Sequence, residues 1–318
     1  MTRRMFLALP ALSLLPRQAG VSSKLPERPA ATRLLFGGDV MLSRYVGRLA
    51  EEKHDPTWPL HAVAELFRSA DLGFVNLESP FSDQGRRIEK GMLFKAEPEM
   101  VAALRSAGID IVSTANNHAR DCGGHGIEFT LDLLARSGIL AVGTGSSAAL
   151  AHQGAILARN GVGFGFLAYT FDQSNGNHAE PDDRVAMMDV DEMTGDVKRL
   201  LERCDVAIVS MHAGNEYRPV VNAQQQRFGR AAIDAGASLV VGHHPHVTQP
   251  LEIYAGGLIF YSLGNLVFDQ FQRKETQRGW IADVRFRGPR LAGYGVIPVD
   301  IVQTVPIVHP SLARLSSG

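Results

Sequence analysis

The chain has 318 residues, 45% of them apolar and 20% charged, with a formal net charge of −1 and an isoelectric point near 6.8. That length accommodates one large domain or two small ones, and the near-neutral balance excludes a nucleic-acid binder that relies on bulk charge. The two cysteines, Cys122 and Cys204, lack CxxC spacing, so no thiolate zinc site is readable and both are expected to be unpaired.

Residues 1–20 open with Arg3 and Arg4, run through a short apolar stretch broken by proline, and end in small residues. This is the pattern of an export signal, too short for a membrane span, and TRRMFL is similar to a twin-arginine signal. The protein is therefore expected to be exported, to the periplasm or beyond, with residues 21–31 as a linker. From residue 32 onward, strand and helix patterns alternate. TRLLFGGDV predicts a buried strand that stops at Asp39, residues 59–70 a helix opening with proline, and residues 71–78 a strand carrying Asn76 and Glu78. A helix over 98–108 and one over 126–138 each close on glycine, and between them residues 109–118 predict a strand running into Asn116, Asn117 and His118. A strand (ILAVGTG) follows. Residues 154–160 and 162–170 then predict a hairpin around Asn160-Gly161, and 171–184 an exposed loop. VKRLLERC reads as a helix, 205–214 as a strand, 222–236 as a helix, and ASLVVGHH as a strand entering GHHPHVTQP. Alternating βα units with buried strands give an α/β class. The expected domain covers 32–288, with a C-terminal strand and tail over 289–318.

Five of these strands end in residues able to bind a metal or move a proton: Asp39, Asn76 with Glu78, Asn117 with His118, His212, and His244 with His246. Each has a plainer explanation on its own. Asp39 after Gly-Gly would cap a turn, the asparagines would bond loop backbone, and a lone strand histidine is more often structural. Together they suggest one constellation, because strand C-termini in an open α/β sheet line one crevice. Carboxylate, imidazole and amide oxygen suit zinc, manganese or iron(II).

The segments GGDVMLSR, VNLESPFSD, ANNHARDCG, MHAGNEY, GHHPHVTQP and YSLGNLVFDQ occur in this order between Arg33 and about Asp269. Together they resemble the CapA family of capsule-synthesis, poly-gamma-glutamate proteins, a branch of the calcineurin-like metallophosphoesterase fold. The resemblance implies a four-layer αββα sandwich of two mixed sheets around a dinuclear-type site. It implies Asp39, Glu78, Asn117, His212, His244 and His246 as ligands of one or two divalent ions (Mn, Zn or Fe). Two departures stand out: Met41 occupies the histidine place of an Asp-x-His motif, and Asn-Leu-Glu replaces the bridging aspartate. Ala213 stands where many relatives have tryptophan. In the family pattern Gly-x-His-Pro-His, His243 falls at the variable position and is expected to lie in an outer shell around the site or to be structural, while Pro245 is expected to hold His244 extended.

On this basis His118 is the expected general acid, Asp121 its orienting partner, and Glu216 a residue that orients a ligand or meets substrate. Asn76, Asn116, Asn265, Arg87 and Lys90 are the expected substrate contacts; Arg86 and Lys95 would extend a basic rim, which reads equally as a solvated loop. The expected substrate is an anionic polymer or peptide such as poly-gamma-glutamate, or a phosphoester. The expected partner is capsule-synthesis machinery at the membrane, and no nucleic acid is expected. Metal-dependent hydrolysis or transfer is the leading reading. Metal-free acid/base epimerisation and non-catalytic polymer binding are the alternatives.

Overall fold

The computed structural model describes residues 31–84, 92–178, 180–308 and 314–317. The export signal over 1–20, most of the linker, and Arg86, Arg87 and Lys90 lie outside the described residues. In chain order the elements begin with β1 (Thr32–Val40), α1 (Arg44–Glu52), α2 (His61–Arg68), β2 (Leu72–Leu77), α3 (Val101–Ala107), β3 (Ile111–Ser113), α4 (Gly123–Arg136), β4 (Leu140–Val142) and α5 (Ala148–Ala151). The hairpin β5 (Ala155–Arg159) and β6 (Val162–Thr170) comes next, then α6 (Val190–Leu201), β7 (Val206–His212), α7 (Ala223–Asp234) and β8 (Leu239–His243). The rest is β9 (Leu251–Tyr254), β10 (Gly257–Phe260), β11 (Asn265–Val267), β12 (Arg278–Arg287), β13 (Arg290–Val302), β14 (Val305–Val308) and β15 (Arg314–Ser317).

These strands make two mixed sheets. The first runs β14-β13-β12-β1-β2-β3-β4, with β11 on β1 and β15 on β13; the second runs β5-β6-β7-β8-β10-β9. Strands β1 to β4 are mutually parallel, as are β6, β7, β8 and β10, while β12 and β5 run antiparallel to their neighbours. Period-two alternation sorts each strand's side chains between two cores. Leu34, Phe36, Phe74, Phe166, Ile208 and Val241 pack between the sheets. Leu35, Val75 and Val112 face outward under α1, α2, α3 and α4, and Leu167, Val209 and Val240 face outward under α5, α6 and α7. The layers are therefore helix, sheet, sheet, helix, the αββα order the resemblance implies.

Local chemistry explains where the elements differ from the sequence reading. Helix α6 starts at Val190, well before VKRLLERC, because the Asp189 carboxylate accepts from the amides of Asp191 and Glu192 at 2.8 and 2.9 Å. Strand β3 pairs over three residues only, and the chain then leaves the sheet as the loop holding Asn116, Asn117 and His118. The loop over 171–184 is only partly exposed, with Gln173 and Ser174 buried. At the other extreme, the Asn160-Gly161 turn has φ values of 51° and 77°, both left-handed as a tight hairpin turn requires. The segment after residue 288 supplies β13, β14 and β15 to the first sheet, within one compact unit, Ala31–Gly318.

A polar network ties α5, α6 and β6 together. The buried Asp196 accepts from His152 Nδ1 and from the Tyr169 hydroxyl, each at 2.7 Å, and pairs with Arg199. The hydrogen bond to Asp196 raises the pKa of His152 above the ordinary imidazole value. A raised imidazole stabilises the fold fully below its unfolded value and loses that contribution as pH climbs through the folded value. His152→Gln is therefore expected to cost about 1 kcal/mol at pH 5, discounted for the partly exposed ring, and progressively less by pH 9. Urea unfolding at the two pH values measures this, and an equal cost at both removes the charge from the explanation.

Candidate functional site

The alternation that packs the inter-sheet core also builds the site. Continuing the inward rows Leu72-Phe74, Val206-Ile208 and Leu239-Val241 along their strands brings Asn76, His212 and His243 to the same inner face. Asp39 would fall on the outer face by strict alternation. A register shift between Phe36 and Asp39, over Gly37 and Gly38, sets Asp39 opposite Asn76 and turns it inward.

Asp39 is fully buried and sits at the centre. Its Oδ1 accepts from Asn76 Nδ2 at 2.8 Å and lies 3.4 Å from His243 Nδ1. Its Oδ2 accepts from the His244 amide at 3.3 Å and lies 3.4 Å from His246 Nδ1. Burial opposes its charge, but His243 and His246 outweigh that and hold it well below the usual carboxylate range. Glu78 behaves in the opposite way. Burial, and then the Asp39 charge with smaller contributions from Glu216 and Asp121, pushes it well above the usual range. Oxygen and nitrogen atoms of Asp39, Glu78 and His246 lie within 4.8 Å of one another, with His246 Nε2 3.7 Å from Glu78 Oε1. Neither oxygen of Glu78 has a hydrogen-bond partner among the described residues, and neither does His244 Nδ1. Buried polar atoms are rarely left this way. Unpartnered carboxylate oxygens beside a second carboxylate and an imidazole are what a divalent cation would satisfy, so the donor set fits such an ion.

A second group lies alongside. His212 Nε2 and Asn117 Oδ1 are 2.9 Å apart, His212 Nδ1 is 3.3 Å from Asn76 Nδ2, and the His212 and His244 rings are 4.9 Å apart. Burial and the neighbouring histidines keep both imidazoles neutral: His212 is pushed well below the ordinary value, and His244 down to about 3. A neutral imidazole keeps a lone pair for a ligand bond. His118 stands apart from both groups. Its Nδ1 meets Asp121 Oδ2 at 2.6 Å, its ring stacks on Phe94 at 3.8 Å, and the same Asp121 oxygen accepts the Phe94 amide at 2.7 Å. That fixes the ring and leaves Nε2 as the nitrogen able to meet a substrate.

Several expected roles change. Asn76 is buried against Asp39. Asn116 donates to Asn76 Oδ1 and to the Leu77 carbonyl, and its own oxygen accepts the His118 amide. Asn265 is buried with its Oδ1 2.9 Å from His246 Nδ1. These three amides are buried and orient site residues. Glu216 is exposed and bonds no histidine. Lys95 is largely buried and paired with Glu97 at 2.8 Å, so the part of the basic rim inside the described residues is neutralised. Met41 is buried with the outer core, its sulfur 3.0 Å from the Ser43 hydroxyl. His244 is not held in ordinary extended backbone: its φ is 98° and that of His246 is 58°. The bond from the His244 amide to Asp39 and the packing of both rings hold this strained loop. Phe94, Phe171 on His244 and Phe268 on His246 complete the walls. They lie in loops whose apolar residues carry no periodicity that would have flagged them.

A protein-family comparison covers this whole arrangement. The model of the bacterial capsule synthesis protein PGA_cap matches residues 33–270. The chain belongs to that family. The PGA biosynthesis protein CapA of Bacillus subtilis is 32% identical over 275 residues, covering 85% of this chain and 72% of that one. A capsule biosynthesis protein CapA of Bacillus anthracis is 28% identical over 278 residues, covering 85% and 67%. A probable polyglutamine synthesis accessory protein of Mycobacterium tuberculosis is 30% identical over 286 residues, covering 76% and 75%. Among solved structures, a hypothetical protein from Thermus thermophilus superposes with a TM-score of 0.54 at 18% identity, covering 85% of this chain and 99% of that one, a likeness of fold. All the site residues of this PGA_cap member fall inside the matched segment.

Proposed function

We propose that this PGA_cap protein is an exported, metal-dependent hydrolase or transferase acting on an acidic capsule polymer of the poly-gamma-glutamate type. The observation that carries the chemistry is the Glu78 carboxylate, fully buried with no hydrogen-bond partner for either oxygen among the described residues, within 4.8 Å of donor atoms on Asp39 and His246. The polymer class rests on the relatives named for PGA and capsule biosynthesis.

Asp39, Glu78 and His246 would hold the ion, with Asn117, His212 and His244 available to a second. When bound there, a divalent cation would supply Lewis acidity, which would acidify water and polarise an amide or phosphoryl oxygen. The chain's own contribution is to hold geometry and move a proton. Asn76 and the His244 amide fix both oxygens of Asp39, and Asn265 fixes the plane of the His246 ring. Asp121 and Phe94 lock His118 and leave Nε2 as the nitrogen that would give a proton to the leaving nitrogen or oxygen.

The test combines elemental analysis of protein purified without chelator with incubation on poly-gamma-glutamate, following chain length and new free amines. One ion per chain or more, cleavage abolished by chelation, and a loss of about 100-fold in His118→Asn are expected. Stereochemical exchange without cleavage and without bound metal would favour an epimerase instead. Cleavage confined to simple phosphoesters would remove the polymer.

A further inference from the structure

The loop between β11 and β12 begins with Phe268, whose ring lies 4.7 Å from that of His246, and its Gln270 reaches both β11 and the loop after β7. Gln270 Nε2 donates to the Tyr217 hydroxyl at 3.3 Å, and Gln270 Oε1 accepts from Asn265 Nδ2 at 3.2 Å. Asn265 in turn bonds His246, so a chain of side-chain contacts runs from the donor cluster out to Tyr217. Tyr217 is half-buried, its ring 6.2 Å from that of His246, and its backbone is left-handed at φ 62°. Strained non-glycine backbone of this kind is kept only where surrounding contacts hold it, and it clusters at ligand sites.

Two opposite charges flank this ring. The Arg273 guanidinium lies over its face, 5.1 Å from the ring centre, and no carboxylate lies within ion-pair distance of it among the described residues. Glu216, exposed and adjacent in sequence, lies beside the hydroxyl and likewise pairs with no cation among the described residues. Arg273 stays available to a ligand, and Glu216, whose carboxylate accepts from the Tyr217 hydroxyl, keeps further lone pairs for one, with an aromatic face between them. Because Gln270 donates to the Tyr217 oxygen, the hydroxyl proton is left for the neighbouring Glu216 carboxylate.

We propose that Arg273, Tyr217 and Glu216 form a subsite that reads a carboxylate and the N–H borne by the same carbon. Arg273 takes the carboxylate, Glu216 accepts from the nitrogen, and Tyr217 supplies the surface between them. A γ-linked glutamate residue carries that pair on its α-carbon, with methylenes that suit the aromatic face. The subsite rests on the acidic-polymer reading above and adds the residues that select it.

Calorimetry tests it with a γ-linked glutamate tetrapeptide and the same peptide bearing α-carboxamides, in the presence of MnCl2. The wild type is expected to bind the carboxylate peptide about fivefold more tightly, Arg273→Gln to lose that preference, and Arg273→Lys to keep part of it. Glu216→Gln is expected to weaken both peptides alike. Equal binding of the two peptides by the wild type, no binding of either, or a preference that survives Arg273→Gln overturns the subsite. A preference present as described in a protein that cleaves neither peptide nor polymer leaves the subsite standing and overturns the hydrolase reading instead.

Discussion

Glu78→Gln is expected to stabilise the metal-free protein and, at the same time, to abolish its stabilisation by divalent cations. Glu78 is fully buried, neither of its oxygens has a hydrogen-bond partner among the described residues, and the Asp39 carboxylate is close by. Burying an uncompensated charge costs several kcal/mol. The amide has the same shape without the charge, although its NH2 group also lacks an obvious acceptor. A net gain of about 2 kcal/mol, or about 5 °C in Tm, is the expected size. With cation present the order reverses. An ion at about 100 times its Kd stabilises the wild type by about 2.7 kcal/mol, and the variant is expected to show almost none of this. Calorimetry in EDTA and in MnCl2 measures both halves. A variant less stable than the wild type in EDTA, yet equally responsive to Mn2+, would mean that Glu78 has a structural partner and holds no ion.

Strand parity is what the sequence makes legible, and it explains which site residues could be read in advance. Asn76, His212 and the strand-end position of Asp39 follow from apolar runs that terminate in polar residues. They meet because parallel strands of both sheets end on the same side. His243 was legible by the same rule, since Leu239, Val241 and His243 share the inward face. The structure sets its Nδ1 3.4 Å from Asp39 Oδ1. The partners of Asn116 and Asn265 are hidden for a different reason. Their partners, Asn76 and His246, are 40 and 19 residues away along the chain, and a single sequence does not say which distant polar group an amide will meet. The left-handed backbone at His244 and His246 was equally hidden. Local preference before proline favours extended backbone, and the bond from the His244 amide to Asp39 on another strand, with the packing of the His244 ring, overrides it.

The inward turn of Asp39 depends on a backbone that comes too close for any side chain, which makes Gly38 the position where fold and site are most tightly joined. A Cβ at Gly38 would stand 1.9 Å from the Gly264 carbonyl oxygen and 2.9 Å from its carbon, and that same oxygen accepts the Asp39 amide at 3.0 Å. No rotamer change relieves a contact with backbone, so Gly38→Ala must push β11 away from β1. Asn265, the residue that fixes His246, begins β11. The substitution is therefore expected to cost about 3 kcal/mol, about 7 °C in Tm, and to weaken Mn2+ binding about 100-fold by misplacing Asp39 and His246 together. Gly161 is the control. Its φ is 77°, but nothing lies within 4 Å of an added Cβ, so Gly161→Ala faces only the left-handed backbone. It is expected to cost about 1 kcal/mol and to leave Mn2+ binding unchanged. Thermal unfolding and Mn2+ titration of the two variants side by side decide the matter. If Gly38→Ala proves as mild as Gly161→Ala in both measurements, the close approach of β1 and β11 is not what aims Asp39 at the site.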